Sequence, residues 1–332
     1  MADRAIGFTP METRRSVIVE AAELADELGY HTVQVPEAWG MDSTVVLTEI
    51  ALATKRIRPM SAILSIWGRT AATIAMNSAT LLDVSDGRYI LGLGVSTPAL
   101  AEGFHDVEYS RPAARLARVT KEVANLLDGG RATLERETSA RPLRLGMALP
   151  HCLDIVIGGM GPRMRNIAAF HGSGWVPVFI ARDQFVAQVN EVRRVRGDEG
   201  LDPDRFIAFG GPLVGIEPDI DRARTAAGSN LAWYIVAMGD NYARLLREQG
   251  FGAEVDAVVA ANPNPKPGAC VIPPEAESLF EQFTVVTDPG DANEALTAWD
   301  ELCDVTTVGM PPGVPAETIF NLIRAAAPQT LT

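Results

Sequence analysis

The chain has 332 residues, 47% of them hydrophobic and 21% charged, a balance that supplies a large core and excludes a disordered chain. Its formal net charge of -13 at pH 7 repels phosphate backbones and excludes nucleic acid as a partner. The three cysteines are far apart and form no CxxC, which argues against a disulfide framework or a zinc site. No apolar run approaches the roughly 18 residues of a membrane span, so a soluble, reduced, cytoplasmic setting is expected.

Short apolar strands alternate with helical patterns along nearly the whole chain. A first strand, 5–8, is followed by Val17, Ala21, Leu24, Ala25 and Leu28 on one helix face, stopped by Gly29. A second strand covers 32–36, and Asp42 or Ser43 can cap a helix running to about Thr54. The third strand is expected over 57–64, and a helix capped by Thr70 ends near Val84. The fourth, 89–93, is apolar on both faces, as a parallel strand buried on both sides must be. A helix over 112–127 follows, then strands at 153–157, 175–179, 206–214 and 304–308, with Pro162 suited to the first turn of a helix and a last helix over about 316–326. Eight strands separated by helices predict an α/β fold, a (β/α)8 TIM barrel forming one domain over 1–332. Residues 230–283 break the rhythm and read as an insertion before the last βα unit. It holds an amphipathic helix over 231–249, whose Leu231, Ile235, Met238, Leu245 and Leu246 pack on the barrel, and a Pro-rich stretch.

In such a barrel the chemistry belongs at the C-terminal ends of the strands. That rule selects 7–8, 36–39, 61–67, 94–96, 158–163 and Phe179. Glycines at 158, 159 and 161, opening a helix behind a strand, can crowd amide groups round a phosphate, with Arg163 adding charge; a plain βα turn would use glycine as well. Gly92 and Gly94 do not make a dinucleotide fingerprint, because Thr97 replaces the third glycine and no helix is expected there; they fit a flat ring lying against backbone. Glu37 can bind a cofactor or move a proton, or be a solvated rim carboxylate; Trp39 can stack on a ring or cover the barrel top. Of four histidines, His105 lies on the working face and is a candidate acid or base, as is Glu102 beside it, whereas His31 and His171 read as structural. No HExxH, close histidine pair or GxSxG elbow occurs, which leaves metal catalysis and serine hydrolysis without support.

The segments Trp67-Gly68-Arg69-Thr70 and 79–96 (ATLLDVSDGRYILGLGVS) resemble the core signature of luciferase-like oxidoreductases, and more closely their branch using the deazaflavin coenzyme F420. The likeness continues through 102–109, 158–164 and 305–312. It implies a bulge in the third strand with a non-proline cis peptide at Ser61–Ala62, followed by Ile63, behind the cofactor ring. It also implies that Glu37 contacts the cofactor headgroup, that Gly94, Val95 and Ser96 border the ring, and that Gly159, Met160, Gly161, Pro162 and Arg163 hold the phosphate. A homodimer acting on a small-molecule or peptide-like substrate is implied too. Departures are informative: Ala38 stands where sugar-phosphate dehydrogenases of the branch have a histidine, their glutamate near Thr97 is missing, and the paired histidines of the luciferases are absent. The expectation is therefore hydride delivery from reduced F420 to an activated C=C or C=N bond, with Glu37, Glu102, His105 or water supplying the proton. The alternatives are a reduced-FMN monooxygenase and a flavin-binding protein without turnover.

Overall fold

The computed structural model describes residues 2–149 and 151–329. Strands β1 (Asp3–Gly7), β2 (Thr32–Val35), β3 (Arg58–Ser61), β5 (Ile90–Gly94), β6 (Asp154–Gly158), β7 (Gly174–Val176), β8 (Ile207–Gly210) and β11 (Val305–Gly309) pair in parallel in that order. β11 returns to β1 with Asp3 opposite Val305 and Gly7 opposite Gly309, which closes an eight-stranded barrel. β4 (Leu64–Ser65) continues on β5 after a break, and β9 (Leu213–Ile216) with β10 (Thr284–Thr287) forms a side extension reached through Gly309. Closure leaves no barrel edge unpaired, and β2 and β5 are buried along their whole length, which explains the unbroken apolar run of β5; in β2 the buried Gln34 instead donates to the Thr307 hydroxyl at 2.9 Å.

The helices in chain order are α1 (Arg15–Glu27), α2 (Ser43–Ala53), α3 (Ala71–Val84), α4 (Pro98–Ala101), α5 (Pro112–Leu127), α6 (Pro162–His171), α7 (Arg182–Asp198), α8 (Ile220–Ala237), α9 (Asp240–Glu248), α10 (Gly252–Ala261), α11 (Glu277–Phe283), α12 (Ala292–Asp300) and α13 (Ala316–Ala325). Two caps anticipated from sequence are made: Asp42 accepts from the Thr44 amide at 2.9 Å and Thr70 from the Thr73 amide at 3.1 Å. The main core lies between strands and helices. A separate layer fills the barrel interior, with Ala5, Met60, Ile90, Val156, Phe209 and Val305 contributed by six different strands. Near the strand starts the buried Arg4 joins the barrel to two helices, pairing with Asp300 at 2.7 Å and donating to the Ala326 carbonyl at 3.0 Å. Among the described residues no helix is long and apolar enough to cross a membrane.

Several boundaries differ from expectation, each for a local reason. The third strand stops at Ser61, because the non-proline cis peptide lies at Ala62–Ile63, one bond later than expected, and the chain re-enters the sheet only at Leu64. The single strand expected over 206–214 is two, interrupted at Gly211-Pro212. A side chain at Gly211 would strike the Thr307 carbonyl oxygen at 2.0 Å, and Pro212 has no N–H to offer the ladder. The long helix expected over 231–249 starts earlier, at Ile220, and breaks at Gly239, whose φ of +87° suits glycine alone. A four-residue helix, α4, does open after Gly94, with the Thr97 hydroxyl accepting from the Leu100 amide at 3.4 Å. β10 and α12 were not expected. The five apolar positions of the insertion do pack into the main core.

Candidate active site at the barrel mouth

The site begins with the break in the third strand. Ser61 is buried, and its hydroxyl accepts from the Gly92 amide at 3.0 Å and donates to the Gly92 carbonyl at 3.1 Å, with the Tyr89 hydroxyl also 3.1 Å away. Its side chain therefore supports the bulge from behind and faces nothing in the mouth. Glycine at 92 makes this approach possible: a Cβ there would lie 2.0 Å from the Ser61 carbonyl oxygen. The chain then presents Ala62 and Ile63, both part-exposed.

The Ile63 side chain lies between two more glycines. A Cβ on Gly94 would meet Ile63 Cγ1 at 2.7 Å, and one on Gly158 would meet Ile63 Cγ2 at 2.6 Å. The space beside Gly94 is thus taken by the chain's own bulge rather than left open to a ring. Ile63, lifted onto the last residues of β5 and β6, becomes the apolar floor of the mouth.

Glu37, just past β2, is not a free rim carboxylate. It is ion-paired with Arg69 and accepts from the Ser65 amide at 3.1 Å, while its own amide donates to the Ile63 carbonyl at 3.3 Å. Glu37 is buried, its side chain 6% exposed, and Arg69 is part-buried at 12%. Arg69 also binds Asp42 at 2.7 Å. Burial alone would lower the Arg69 pKa, but its bonds to Glu37 and Asp42 outweigh that and leave it raised. Burial likewise works to raise the pKa of Asp42, yet its bonds to Thr44 and Arg69 hold it below the usual value. Glu37 therefore clamps the β2 loop onto the chain just after the Ala62–Ile63 bond, a use no sequence pattern disclosed, since its ion-pair partner stands 32 residues on.

The β5 loop forms the next wall. Trp67 is buried and donates to the Val95 carbonyl at 2.7 Å. The Arg115 guanidinium sits 4.5 Å above its ring, and Tyr109 packs beside it with centroids 5.0 Å apart. Ser96 is held at φ +50°, with its carbonyl 3.4 Å from the Tyr109 hydroxyl. Glu102 is exposed, with one oxygen accepting from the Tyr109 amide at 3.0 Å, so it shapes this loop. The His105 ring lies on the backbone of Gly68, where a Cβ would be 2.7 Å from its Cε1, and its Nε2 is buried without a protein partner.

Behind β6, Gly159 adopts φ +138° with Met164 filling its side-chain direction, and its carbonyl accepts from Trp175 at 2.7 Å. Met160 is buried, its sulfur accepting from the Phe179 amide at 3.3 Å. Gly161 caps α6 and Pro162 starts it, with the exposed Arg163 beside them. A Cβ on Gly161 would meet only Leu245 of α9, at 3.9 Å. A positive helix end, an open approach and a guanidinium together fit a phosphate-bearing cofactor.

The insertion closes over this part of the mouth. Phe179, following β7, meets Tyr234 and Tyr242 edge-on at 5.2 and 5.9 Å, and those tyrosines meet each other at 5.3 Å. Gln249 fastens α9 to the β7 loop, donating to the Phe179 carbonyl at 2.9 Å and accepting from the Ala181 amide at 2.8 Å. Burial pushes the Tyr242 hydroxyl up to about 12, with nearby Tyr109 adding to the effect, and burial raises Tyr109 and Tyr234 too. Sequence reasoning missed these tyrosines because it read 231–249 as one helix, and only the break at Gly239 sets Tyr234 and Tyr242 on separate helices that meet at Phe179.

Residues 7–304 match the profile of the family described as luciferase-like monooxygenase, and the chain belongs to that family. A protein of Mycobacterium tuberculosis assigned as a coenzyme F420-dependent oxidoreductase is 28% identical, over 91% of this chain and 92% of its own. The 5,10-methylenetetrahydromethanopterin reductase of Archaeoglobus fulgidus is 25% identical, over 93% and 86%. The fold superposes on the F420-dependent tetrahydromethanopterin reductase of Methanopyrus kandleri with a TM-score of 0.77, at 18% identity and 97% coverage of both chains.

Proposed function

We propose that this member of the family is an F420-dependent reductase that delivers a hydride to an activated C=C or C=N bond of a small molecule. The observation that carries the reading is the mouth itself: an apolar floor at Ile63, backed by Gly94 and Gly158, in line with a helix end able to take a phosphate. The relative named for F420 at 28% identity favours the deazaflavin over FMN. Reduced F420, when bound, supplies the hydride, and the protein positions it.

In this reading Ala62 and Ile63 support the ring, Gly94, Val95 and Ser96 border it, and Gly159 to Arg163 hold the phosphate. Glu37 acts through Ser65 and Arg69, keeping the bulge in place, and does not move a proton. Ser61 acts from behind. Glu102 holds the loop, and His105, with its unpartnered Nε2, supplies the proton that accompanies reduction. The exposed Val45 and Leu52 of α2 and Met76 of α3, with the Arg15–Glu49 ion pair among them, form a face that suits pairing of two copies, which sedimentation equilibrium would register as a dimer.

Fluorescence titration with F420 and, separately, with FMN tests the cofactor. Micromolar or tighter binding of F420 with weak FMN binding is expected. Preference for FMN overturns the deazaflavin reading in favour of a monooxygenase, and binding of neither overturns both.

A further inference from the structure

After α5 the chain does not enter β6 directly. Residues 131–149 form an arm folded back along the outer side of α5. Three contacts lay it there. The Asn125 side chain donates to the Arg131 carbonyl at 2.9 Å, Glu122 accepts from the Thr133 amide at 2.8 Å, and Arg118 pairs with Glu135 at 2.6 Å. Residues 118, 122 and 125 share one helix face, so the outgoing leg runs antiparallel to α5. The returning leg is tied to it by the Ala132 amide, which donates to the Leu143 carbonyl at 2.8 Å. Along that leg alternate side chains divide. Leu145 and Leu149 pack against the core, while Leu143, 73% exposed, and Met147 point outward, as does Leu134 of the outgoing leg. An extended segment with one solvated face should be polar on that face, and this one is apolar on both.

The arm is also basic where the molecule is acidic. It carries Arg131, Arg136, Arg141 and Arg144 against Glu135 and Glu137, in a chain of net charge -13. Arg136, Arg141 and Arg144 are exposed and join no ion pair among the described residues. The opposite feature lies on α1. Glu20, Glu23 and Glu27 stand three and four residues apart and so form one stripe, exposed and likewise without a cation partner among the described residues. Round the barrel α1, α2, α3 and α5 stand side by side in that order, each packed on the next. The face of α2 and α3 assigned above to pairing therefore has the acidic stripe on one flank and the basic arm on the other.

A two-fold axis can be set on this face in two ways. Set across the helices, it brings arm onto arm and α1 onto α1, like charge on like. Set along the barrel axis, it brings α2 onto the partner's α3 and the arm of each copy onto the partner's α1. Such an axis keeps every level opposite itself, and the levels agree. The arm lies beside residues 118–125 of α5, and the stripe covers 20–27 of α1; each runs from mid-helix to the end nearer the strand starts.

We propose that the arm is a clamp between two copies of this chain: Arg136, Arg141 and Arg144 of one copy meet Glu20, Glu23 and Glu27 of the other, and Leu143 and Met147 are covered with them. The clamp rests on the pairing through α2 and α3; the choice of axis and of partner surface rests on the charges and the levels. Symmetry makes the contact twice, so every substitution counts twice.

Sedimentation equilibrium of the full chain over a dilution series at low salt, where exposed charges are least screened, reads the dimer dissociation constant. Arg141→Glu with Arg144→Glu is expected to raise it at least about tenfold, and Glu23→Arg with Glu27→Arg likewise, because each reversal turns attraction into repulsion at two contacts. All four changes together should return it to within about threefold of the native value, since the charges are then exchanged and not lost. Every site is exposed, and unchanged far-UV circular dichroism checks that the variants fold. A native chain that stays monomeric, or a dimer that Leu52→Glu leaves intact, overturns the pairing through α2 and α3 and the clamp with it. A dimer split by Leu52→Glu but indifferent to both charge reversals overturns the clamp alone. A dimer weakened by the arginine reversal and not recovered by the four changes together overturns the assignment of α1 as its seat.

Discussion

The two sides of the barrel mouth are built on opposite terms. On the side of β3, β5 and β6 the openings beside three glycines are filled by the chain and the acid past β2 is held: Ile63 between Gly94 and Gly158, the Ser61 carbonyl against Gly92, Glu37 between Arg69 and the Ser65 amide. On the side of the insertion the contacts are aromatic edges, and the hydroxyls of Tyr234 and Tyr242 answer to burial first, then to Tyr242 and to Tyr109 respectively. The first side is a finished surface, suited to carrying one unvarying cofactor. The second is an aromatic surface that the insertion supplies. A fold that serves many chemistries can keep the first constant and vary the second, and mutations should therefore cost stability on one side and affinity on the other.

The largest expected effect tests the finished side. Arg69→Met leaves Glu37 buried without its partner, and removing one member of a buried pair costs about 3–5 kcal/mol. A fall of that size in the free energy from urea unfolding, with m unchanged, is expected. A loss under about 1 kcal/mol would mean that the Glu37 clamp is wet and loose, and the contrast between the two sides would fail. Gly92→Ala comes next: its Cβ 2.0 Å from a backbone oxygen must move the bulge, at about 1–3 kcal/mol by the usual cost of overpacking. Gly161→Ala, whose Cβ meets nothing nearer than 3.9 Å, is the control, expected within about 0.5 kcal/mol of the native protein in the same assay.

These two glycines show how much of the site the sequence could reveal. The barrel was legible because its signals are local: apolar strands of fixed length, caps at Asp42 and Thr70, a proline at the first turn of α6. The mouth loops were legible as places, because strand ends follow from strands. Their contents were not. Gly92 and Gly94 read as room for a ring when they are room for Ser61 and Ile63, since which atom fills a glycine's absent side chain is a long-range fact. Glu37 read as a free acid because Arg69 is distant in sequence and carries no periodic mark. The α8–α9 break at Gly239, the β8–β9 break at Gly211-Pro212 and the short β10 escaped because a period of 3.6 or 2 describes continuing segments, and each of these is an interruption or too short to show one.

On the insertion side the effect should be affinity without stability. Tyr234→Phe and Tyr242→Phe keep their rings, hence the edge contacts with Phe179, and are expected within about 0.5 kcal/mol of the native protein at pH 7 by urea unfolding. A loss above about 1.5 kcal/mol in either would mean that its hydroxyl already has a structural partner, and the two sides would differ less than the geometry indicates.

The smallest effect separates the tyrosines by pH. Burial lifts the folded-state pKa of Tyr242 from the ordinary 10.0 to about 12, so folding favours its neutral form. A group whose pKa is raised on folding contributes stability that is fully present below the unfolded value and is lost as pH rises through the folded one. The contribution from Tyr242 should therefore be intact at pH 9 and fall away between about 10 and 12, steepening the alkaline loss that the whole chain shows. Because Tyr242 is part-exposed, solvent screening trims the term, and the difference rather than the absolute curve carries the information. Tyr242→Phe has no phenol to ionise, so its unfolding midpoint should decline less between pH 9 and 11.5 than that of the native protein. Equal declines would mean that Tyr242 ionises as freely in the folded chain as in the unfolded one. It would then be an open, solvated hydroxyl, and the insertion side would have lost the dry aromatic packing that sets it apart from the other.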